Sequence, residues 1–309
     1  MATNRVLMIR PANFAYNPET AVNNKFQVTS KEGDLQVLAL HEFDQFVDIL
    51  RLNGVIVELF NDSSTPKTPD AVFPNNWVSF HEDGTVVLYP MFAGNRREER
   101  RTEILTALQK QYTIKALVDL SYFEKEDLFL EGTGSMVLDR QHKIAYLCLS
   151  PRSTLKPFTT FCHLMNYTPL VFNAVDANGF AIYHTNVMLC IGDTFAVICS
   201  EAIKNCAERA AVLTSLRQTM KEIVDISHQQ MAHFAGNMLH LSNNIGNNLL
   251  VLSKQAYVSL TSIQLSCLEK HAKLLYTPLD HIEKNGGGSA RCMLAELFLP
   301  LTNNVKKDQ

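Results

Sequence analysis

Cys292 follows three glycines and a serine in the run Gly286-Gly287-Gly288-Ser289-Ala290-Arg291-Cys292, and it precedes the apolar residues Met293, Leu294 and Ala295. Glycines let the backbone approach a ligand closely, and an apolar strand behind a cysteine fixes its sulfur. A Gly-rich turn is a poor place for a core side chain, so Cys292 reads as a nucleophile. Cys148, Cys190 and Cys199 lie in apolar strand-like runs and read as small core residues. A thiol attacks as its thiolate and needs a base or an electropositive neighbour. Of ten histidines, His184 stands at a turn between Ile182-Tyr183 and Val187-Met188-Leu189, which makes it the expected base. His228, His233 and His240 show no metal-ligand spacing with cysteines or carboxylates, so they read as surface or packing residues and no metal site is expected. Glu131 ends the apolar run Leu128-Phe129-Leu130 and opens Gly-Thr-Gly. The plain reading is a solvated turn carboxylate; the functional one is an ionised acceptor, projecting from a strand end, for a substrate rich in N–H groups.

These residues lie far apart in the chain, so the fold has to collect them. One pattern recurs about five times: a helix with apolar spacing of three and four, a short apolar strand, a polar or Gly-rich turn, and another apolar strand. The clearest helix begins at Leu35, carries Leu38, Phe43, Phe46, Val47 and Leu50 on one face, stops at Gly54 and leads into a strand over 55–60. The turns ahead of the inner strands are Phe73-Pro74-Asn75-Asn76-Trp77, Glu131-Gly132-Thr133-Gly134-Ser135, His184-Thr185-Asn186, Gly236-Asn237 and the segment ending at Cys292. Their separation of roughly fifty to sixty residues lies in the range of propellers and solenoids. Five αβ units around an axis would bring all five turns to one end and there form a site.

Composition bounds the rest. Hydrophobic residues are 46% and charged residues 19% of 309, enough for an extensive core. No Pro/Gly/Ser-rich linker divides the chain, so 1–309 reads as a single α/β domain. The formal charge of -3, with no basic block beyond Arg96, Arg97, Arg100 and Arg101, speaks against nucleic acid as a partner. The first residues lack the apolar core of a signal peptide, and no segment has membrane-spanning length. Seven scattered cysteines without a CxxC pair point to a reducing compartment, and the expected location is cytoplasmic. Oligomeric state is not written in the periodicity, and a homo-oligomer is compatible with it.

Phe-Pro-Asn-Asn-Trp at 73–77, Leu-Glu-Gly-Thr-Gly at 130–134, His-Thr-Asn at 184–186 and the Gly-rich Cys292 segment together resemble the superfamily of arginine deiminases, dimethylarginine hydrolases and amidinotransferases. Within it they look most like the citrulline-utilisation hydrolases. The resemblance covers nearly the whole chain and implies the pentein fold, a five-bladed pseudo-symmetric α/β propeller with its site at the central end. It implies Cys292 as nucleophile, His184 as general acid and base, and Glu131 as the carboxylate binding substrate nitrogen. Asn76 and Asn186 fall where arginine deiminases carry aspartates that grip a guanidinium. An asparagine can donate to a urea oxygen and accept from its N–H groups, whereas a buried carboxylate facing a neutral urea lacks a counter-charge.

What the resemblance then implies is hydrolysis of citrulline to ornithine, ammonia and carbon dioxide through a covalent thio-adduct, with no cofactor. Arg97, or its neighbour Arg96, and Arg152 resemble the arginines that bind the substrate carboxylate; the bland alternative makes 96–101 the polar face of a helix running to Tyr112. An arginine or dimethylarginine deiminase-type hydrolase would use the same Cys292, His184 and Glu131. An amidinotransferase would depend on an acceptor amine, and a non-catalytic propeller serving as an interaction module is the reading from another class.

Overall fold

Runs such as Phe-Ala-Val-Ile at Phe195–Ile198 and Thr-Val-Val-Leu at Thr85–Leu88 are buried at every position, which a strand achieves only when both of its faces are covered. The computed structural model describes residues 2–28, 34–219 and 221–302. Its strands are β1 (Arg5–Arg10), β2 (Ile56–Asn61), β3 (Val78–Phe80), β4 (Thr85–Leu88), β5 (Ala116–Asp119), β6 (Met136–Asp139), β7 (Ile144–Cys148), β8 (Thr168–Phe172), β9 (Leu189–Ile191), β10 (Phe195–Ile198), β11 (Glu222–Asp225), β12 (Leu239–Ser242), β13 (Asn248–Ser253), β14 (Lys273–Thr277) and β15 (Ala295–Glu296). They form five three-stranded sheets. Four use consecutive strands, β3-β4-β5, β6-β7-β8, β9-β10-β11 and β12-β13-β14, and the fifth is β15-β1-β2.

All five sheets share one plan. The first strand pairs antiparallel with the middle one, and the middle pairs parallel with the third. A parallel pair needs a crossover, and helices supply it: Leu35–Leu52 between β1 and β2, Leu155–Met165 between β7 and β8, Cys206–Gln218 between β10 and β11. Middle strands are the apolar ones, while outer strands such as β5 and β11 are largely exposed. The repeat expected from the sequence is therefore present with one addition, because every unit has three strands: four of the polar turns are followed by a hairpin, and the turn of Cys292 leads into β15, which pairs with β1 from the other end of the chain.

The Leu35–Leu52 helix starts at Asp34, whose side chain accepts from the Val37 N–H at 3.4 Å, and ends before Gly54 at φ 80°. Phe43, Phe46, Val47 and Leu50 are buried as expected, joined by Ala39, whereas Leu38 is only half-buried. The single helix considered for 96–112 is instead two short ones, Gly94–Arg97 and Thr102–Leu108. No helix among the described residues is long and apolar enough to cross a membrane.

The five polar turns meet and are tied in series. Asn75 Nδ2 donates to Thr133 Oγ1 (3.4 Å), Asn186 Nδ2 to the Thr133 carbonyl (3.2 Å), Asn237 Nδ2 to the Asn186 carbonyl (3.0 Å), and the Arg291 N–H to Asn237 Oδ1 (3.1 Å). Gly132, at φ 47°, lies so close to the first turn that a Cβ there would sit 2.3 Å from the Asn75 carbonyl oxygen.

The crossover helix gives a stability test. Phe46 is fully buried, so Phe46→Ala should cost about 3–5 kcal/mol in urea unfolding. Leu52, in the same helix but 85% exposed, should change stability by less than about 0.5 kcal/mol when replaced by Ala. Similar losses for the two would contradict the packing described.

Candidate active site

Glu131 ends the connection into a one-turn helix, Gly132–Ser135, and its backbone is fixed by its N–H donating to Ser135 Oγ at 2.8 Å. His184 stands one residue before the short 3-10 turn Thr185–Val187 of the next unit. Both are buried, and His184 Nε2 lies 2.8 Å from Glu131 Oε2. The other carboxylate oxygen, Oε1, accepts the Phe92 N–H at 3.0 Å. Burial pushes the Glu131 pKa up, but Arg152, the bond to His184 and Arg96 outweigh it and hold the group below the ordinary carboxylate range. The same burial pulls His184 down to about 4, against the raising effect of Glu131. An ionised Glu131 only accepts, so a neutral His184 carries its proton on Nε2 and keeps a lone pair on Nδ1. That nitrogen faces Gly134, where a Cβ would lie 2.8 Å from His184 Nδ1 and 2.3 Å from Asn76 Nδ2. Glu131, expected to bind substrate nitrogen, is thus committed through both oxygens to protein groups, and orients the imidazole.

Cys292 lines the same cleft as His184 and Asn76. Its Sγ is 3.6 Å from Asn186 Nδ2 and 3.3 Å from Asn237 Nδ2. Cys148, Cys190 and Cys199 are buried, and burial pushes each thiol up to about 12, as befits inert core residues. Asn237 has no counterpart among the residues singled out from the sequence, although its turn was. The signal was its repeat position, equivalent to those of Asn76 and Asn186.

On the other side of the cleft the two adjacent arginines part company. Arg96 is buried: Nε and Nη2 each reach Glu99 at 2.9 Å, and Nη1 donates to Asn76 Oδ1 at 2.8 Å. Arg97, expected as the carboxylate clamp, instead turns outward to the Met91 carbonyl (3.2 Å) and Glu124 (3.5 Å). Successive residues on the Gly94–Arg97 turn point about 100° apart, so only one of them can face inward. Arg152 is in the cleft as expected, with Nη1 3.5 Å from Glu131, Nε donating to Asn23 Oδ1 at 2.7 Å, and Nη2 donating to the Thr20 carbonyl. Burial pushes Glu99 up to about 7 in spite of Arg96. Asp70, which sequence reasoning missed, is buried in the cleft; its Oδ2 accepts from Asn17 Nδ2 (2.8 Å), while Oδ1 has no hydrogen-bond partner. Asn76 Nδ2 is likewise buried and without a partner. Nothing in the run Thr68-Pro69-Asp70 marks that carboxylate from the sequence alone.

His228, expected to stand apart from cysteines and carboxylates, lies with Cys199 and Glu201 in a group of metal-ligand types, and Glu222, Cys267 and His271 form another among the described residues. Packing of sequence-distant elements brings these together, and none of the six lines the Cys292 cleft.

Solved structures share this fold. The arginine dihydrolase ArgZ of the cyanobacterial ornithine-ammonia cycle superposes with a TM-score of 0.74 at 18% identity, over 97% of this chain and 42% of ArgZ. Unliganded AgrE gives 0.72 at 20% identity, over 97% of this chain and 40% of AgrE. A dimethylarginine dimethylaminohydrolase variant with an S-methyl-L-thiocitrulline adduct gives 0.66 at 13% identity, over 96% of this chain and all of that one. The chain thus spans about two fifths of full-length ArgZ. No curated protein sequence matches it. Residues 10–299 match the family described as N,N dimethylarginine dimethylhydrolase, eukaryotic, and the chain therefore belongs to that family, within the pentein superfamily of arginine deiminases and amidinotransferases.

Proposed function

We propose that this protein is a cysteine-dependent hydrolase of the ureido group of citrulline or a close homologue, releasing ornithine, ammonia and carbon dioxide. The observation that carries the reading is the buried, unpartnered Nδ2 of Asn76. Arg96 has only donors, so its bond to Oδ1 fixes the amide and turns Nδ2 toward the cleft. A ureido oxygen would satisfy that N–H group, and a guanidinium, which is all donors, would leave it orphaned. Asp70 Oδ1 supplies an acceptor for an α-ammonium group, and Arg152 a cation for an α-carboxylate; Arg96, saturated by Glu99 and Asn76, holds the amide.

Cys292 Sγ adds to the ureido carbon, its proton passing to His184 Nδ1. The tetrahedral adduct collapses by breaking one C–N bond, with that proton delivered to the departing nitrogen. Water, activated by the neutral His184, then cleaves the thiocarbonyl adduct, and the carbamate decomposes to amine and carbon dioxide. The same products follow whichever nitrogen leaves first. Asn186 Oδ1, 3.9 Å from the sulfur, becomes an acceptor for a substrate N–H once the thiol proton has gone. We further read 1–309 as one domain whose five sheets are the blades of a pseudo-symmetric α/β propeller. The seven free cysteines support a cytoplasmic location.

A guanidino substrate is the second reading, favoured by charge: among the described residues of this buried region three carboxyl groups, Asp70, Glu99 and Glu131, stand against two guanidinium groups, Arg96 and Arg152. The same sulfur and imidazole would then attack a guanidinium carbon.

Ammonia release from citrulline, with arginine, agmatine and dimethylarginine in parallel, separates the readings. Turnover of citrulline that Cys292→Ala abolishes is expected. Turnover of arginine or dimethylarginine with none of citrulline overturns the ureido assignment, and dependence on an added amine makes the protein a transferase. Asn76→Asp, which removes the donor, should lower kcat/KM for citrulline by about a hundredfold, equivalent to about 2.7 kcal/mol.

Neutral His184 has a stability signature. Its pKa is about 4 in the fold against 6.5 unfolded, so between these values the unfolded chain binds the extra proton. Stability from this group is present above pH 6.5, falls as pH drops through the window, and levels off below about 4, for a total of about 3 kcal/mol. The stability difference between the parent and His184→Gln should therefore shift in favour of the variant from pH 7 to 4 in urea unfolding. A difference independent of pH would show that the fold leaves the His184 pKa at its unfolded value, and a shift in favour of the parent on acidification would show that the imidazole is held protonated.

A further inference from the structure

Among the described residues, the N–H donors that reach the Cys292 sulfur are side-chain amides: Asn237 Nδ2 at 3.3 Å and Asn186 Nδ2 at 3.6 Å. The shorter contact comes from a fully buried side chain whose orientation is determined on both ends. Asn237 Oδ1 accepts the Arg291 N–H at 3.1 Å, and Nδ2 donates one hydrogen to the Asn186 carbonyl at 3.0 Å. Its second hydrogen is left to face the sulfur. Asn186 is oriented in the same way by the Thr133 carbonyl.

We propose that Asn237 is a catalytic hydrogen-bond donor to the Cys292 thiolate, and that it sets both the charge state and the position of the attacking sulfur. This rests on the reading of Cys292 as nucleophile. A thiol in a buried cleft is disfavoured as an anion unless N–H groups or cations receive its charge. Here the imidazole that lines the cleft with Cys292 is neutral and committed to Glu131, so it cannot serve as a resident counter-charge. The amide N–H groups take that place. When the sulfur loses its proton to His184, the Asn237 N–H strengthens as a charge-assisted bond. When the sulfur becomes bonded to carbon the N–H again faces a neutral atom, so the donor acts on the free nucleophile. Asn237 also joins the turn of Asn186 to the turn of Cys292, and so holds the sulfur at a fixed distance from the amide that faces the substrate.

The test is the pH profile of iodoacetamide alkylation at Cys292, followed by mass spectrometry of the Cys292 peptide so that exposed Cys206 does not interfere. Asn237→Ala should slow alkylation at pH 7 about tenfold and move its profile to higher pH. Asn237→Asp keeps the acceptor for the Arg291 N–H, guards against loss of fold, and sets a carboxylate against the sulfur; its profile should move further. Both should lower kcat on the substrate that the parent turns over, with a smaller effect on KM. An alkylation profile unchanged in a folded variant overturns the proposal even if turnover is lost, because a donor to the thiolate at this distance could not be removed without moving the profile, whereas a purely structural role would leave it untouched. Cys292→Ser separates the underlying reading: turnover retained by that variant would remove Cys292 as nucleophile, whatever the Asn237 profiles show.

Discussion

Loops normally run over a surface because their backbone groups need water. In this protein five turns are instead buried against one another, and everything else depends on how their polar atoms are satisfied. The solution is a series of side-chain amides and hydroxyls. Asn75 reaches Thr133, Asn186 the Thr133 carbonyl, Asn237 the Asn186 carbonyl, and the Arg291 N–H returns to Asn237. Each link spans two units far apart in the chain. The same residues that close the backbone account then have a second hydrogen or lone pair to spare, and those spare groups point at the sulfur and the space above Gly134. Structure and chemistry are thus served by one set of asparagines.

The buried charges follow a related logic. Isolated ions in such a cleft would cost several kcal/mol each, so each one is placed against an opposite charge or a donor. Glu131 is held ionised by Arg152, His184 and Arg96, and in return keeps His184 in the tautomer with a free Nδ1. Arg96 is saturated by Glu99 and Asn76 and defines which way the Asn76 amide points. What stays unsatisfied is informative: Asp70 Oδ1 and Asn76 Nδ2, one acceptor and one donor, both in the cleft. The segment 17–28 completes this wall, with Arg152 bound to Asn23 and the Thr20 carbonyl, and Asn24 Nδ2 donating to the Gly287 carbonyl at 3.2 Å.

Much of this could be read from the sequence. Apolar spacing marked the long crossover helix, and middle strands buried on both faces read as short continuous apolar runs. The Gly-rich turn before Cys292 identified a residue that lines the cleft, and the strand-end position of Glu131 identified one buried against His184, which lines the same cleft. Repeat position, rather than any local motif, placed His184 and Asn186 beside them. Asn237 was within reach of that argument, because its turn was recognised while the side chain was given no task.

Chain order and residue type determined which segments become strands and helices, and which turns carry chemistry-bearing side chains, since these depend on periodicity and local backbone freedom. Direction and burial were decided only by the tertiary structure. Arg96 faces the cleft and Arg97 turns away from it to the Met91 carbonyl and Glu124 because one helical turn cannot aim both inward. Asp70 matters because packing from 17–28 and Arg96 buries it, which no local pattern announces. Glu131 orients a histidine rather than standing free because His184 arrives from another unit. The sequence by itself determined the candidates; the assignment of partners required knowing which atoms lie within three or four ångströms, and that is a property of the assembled sheets.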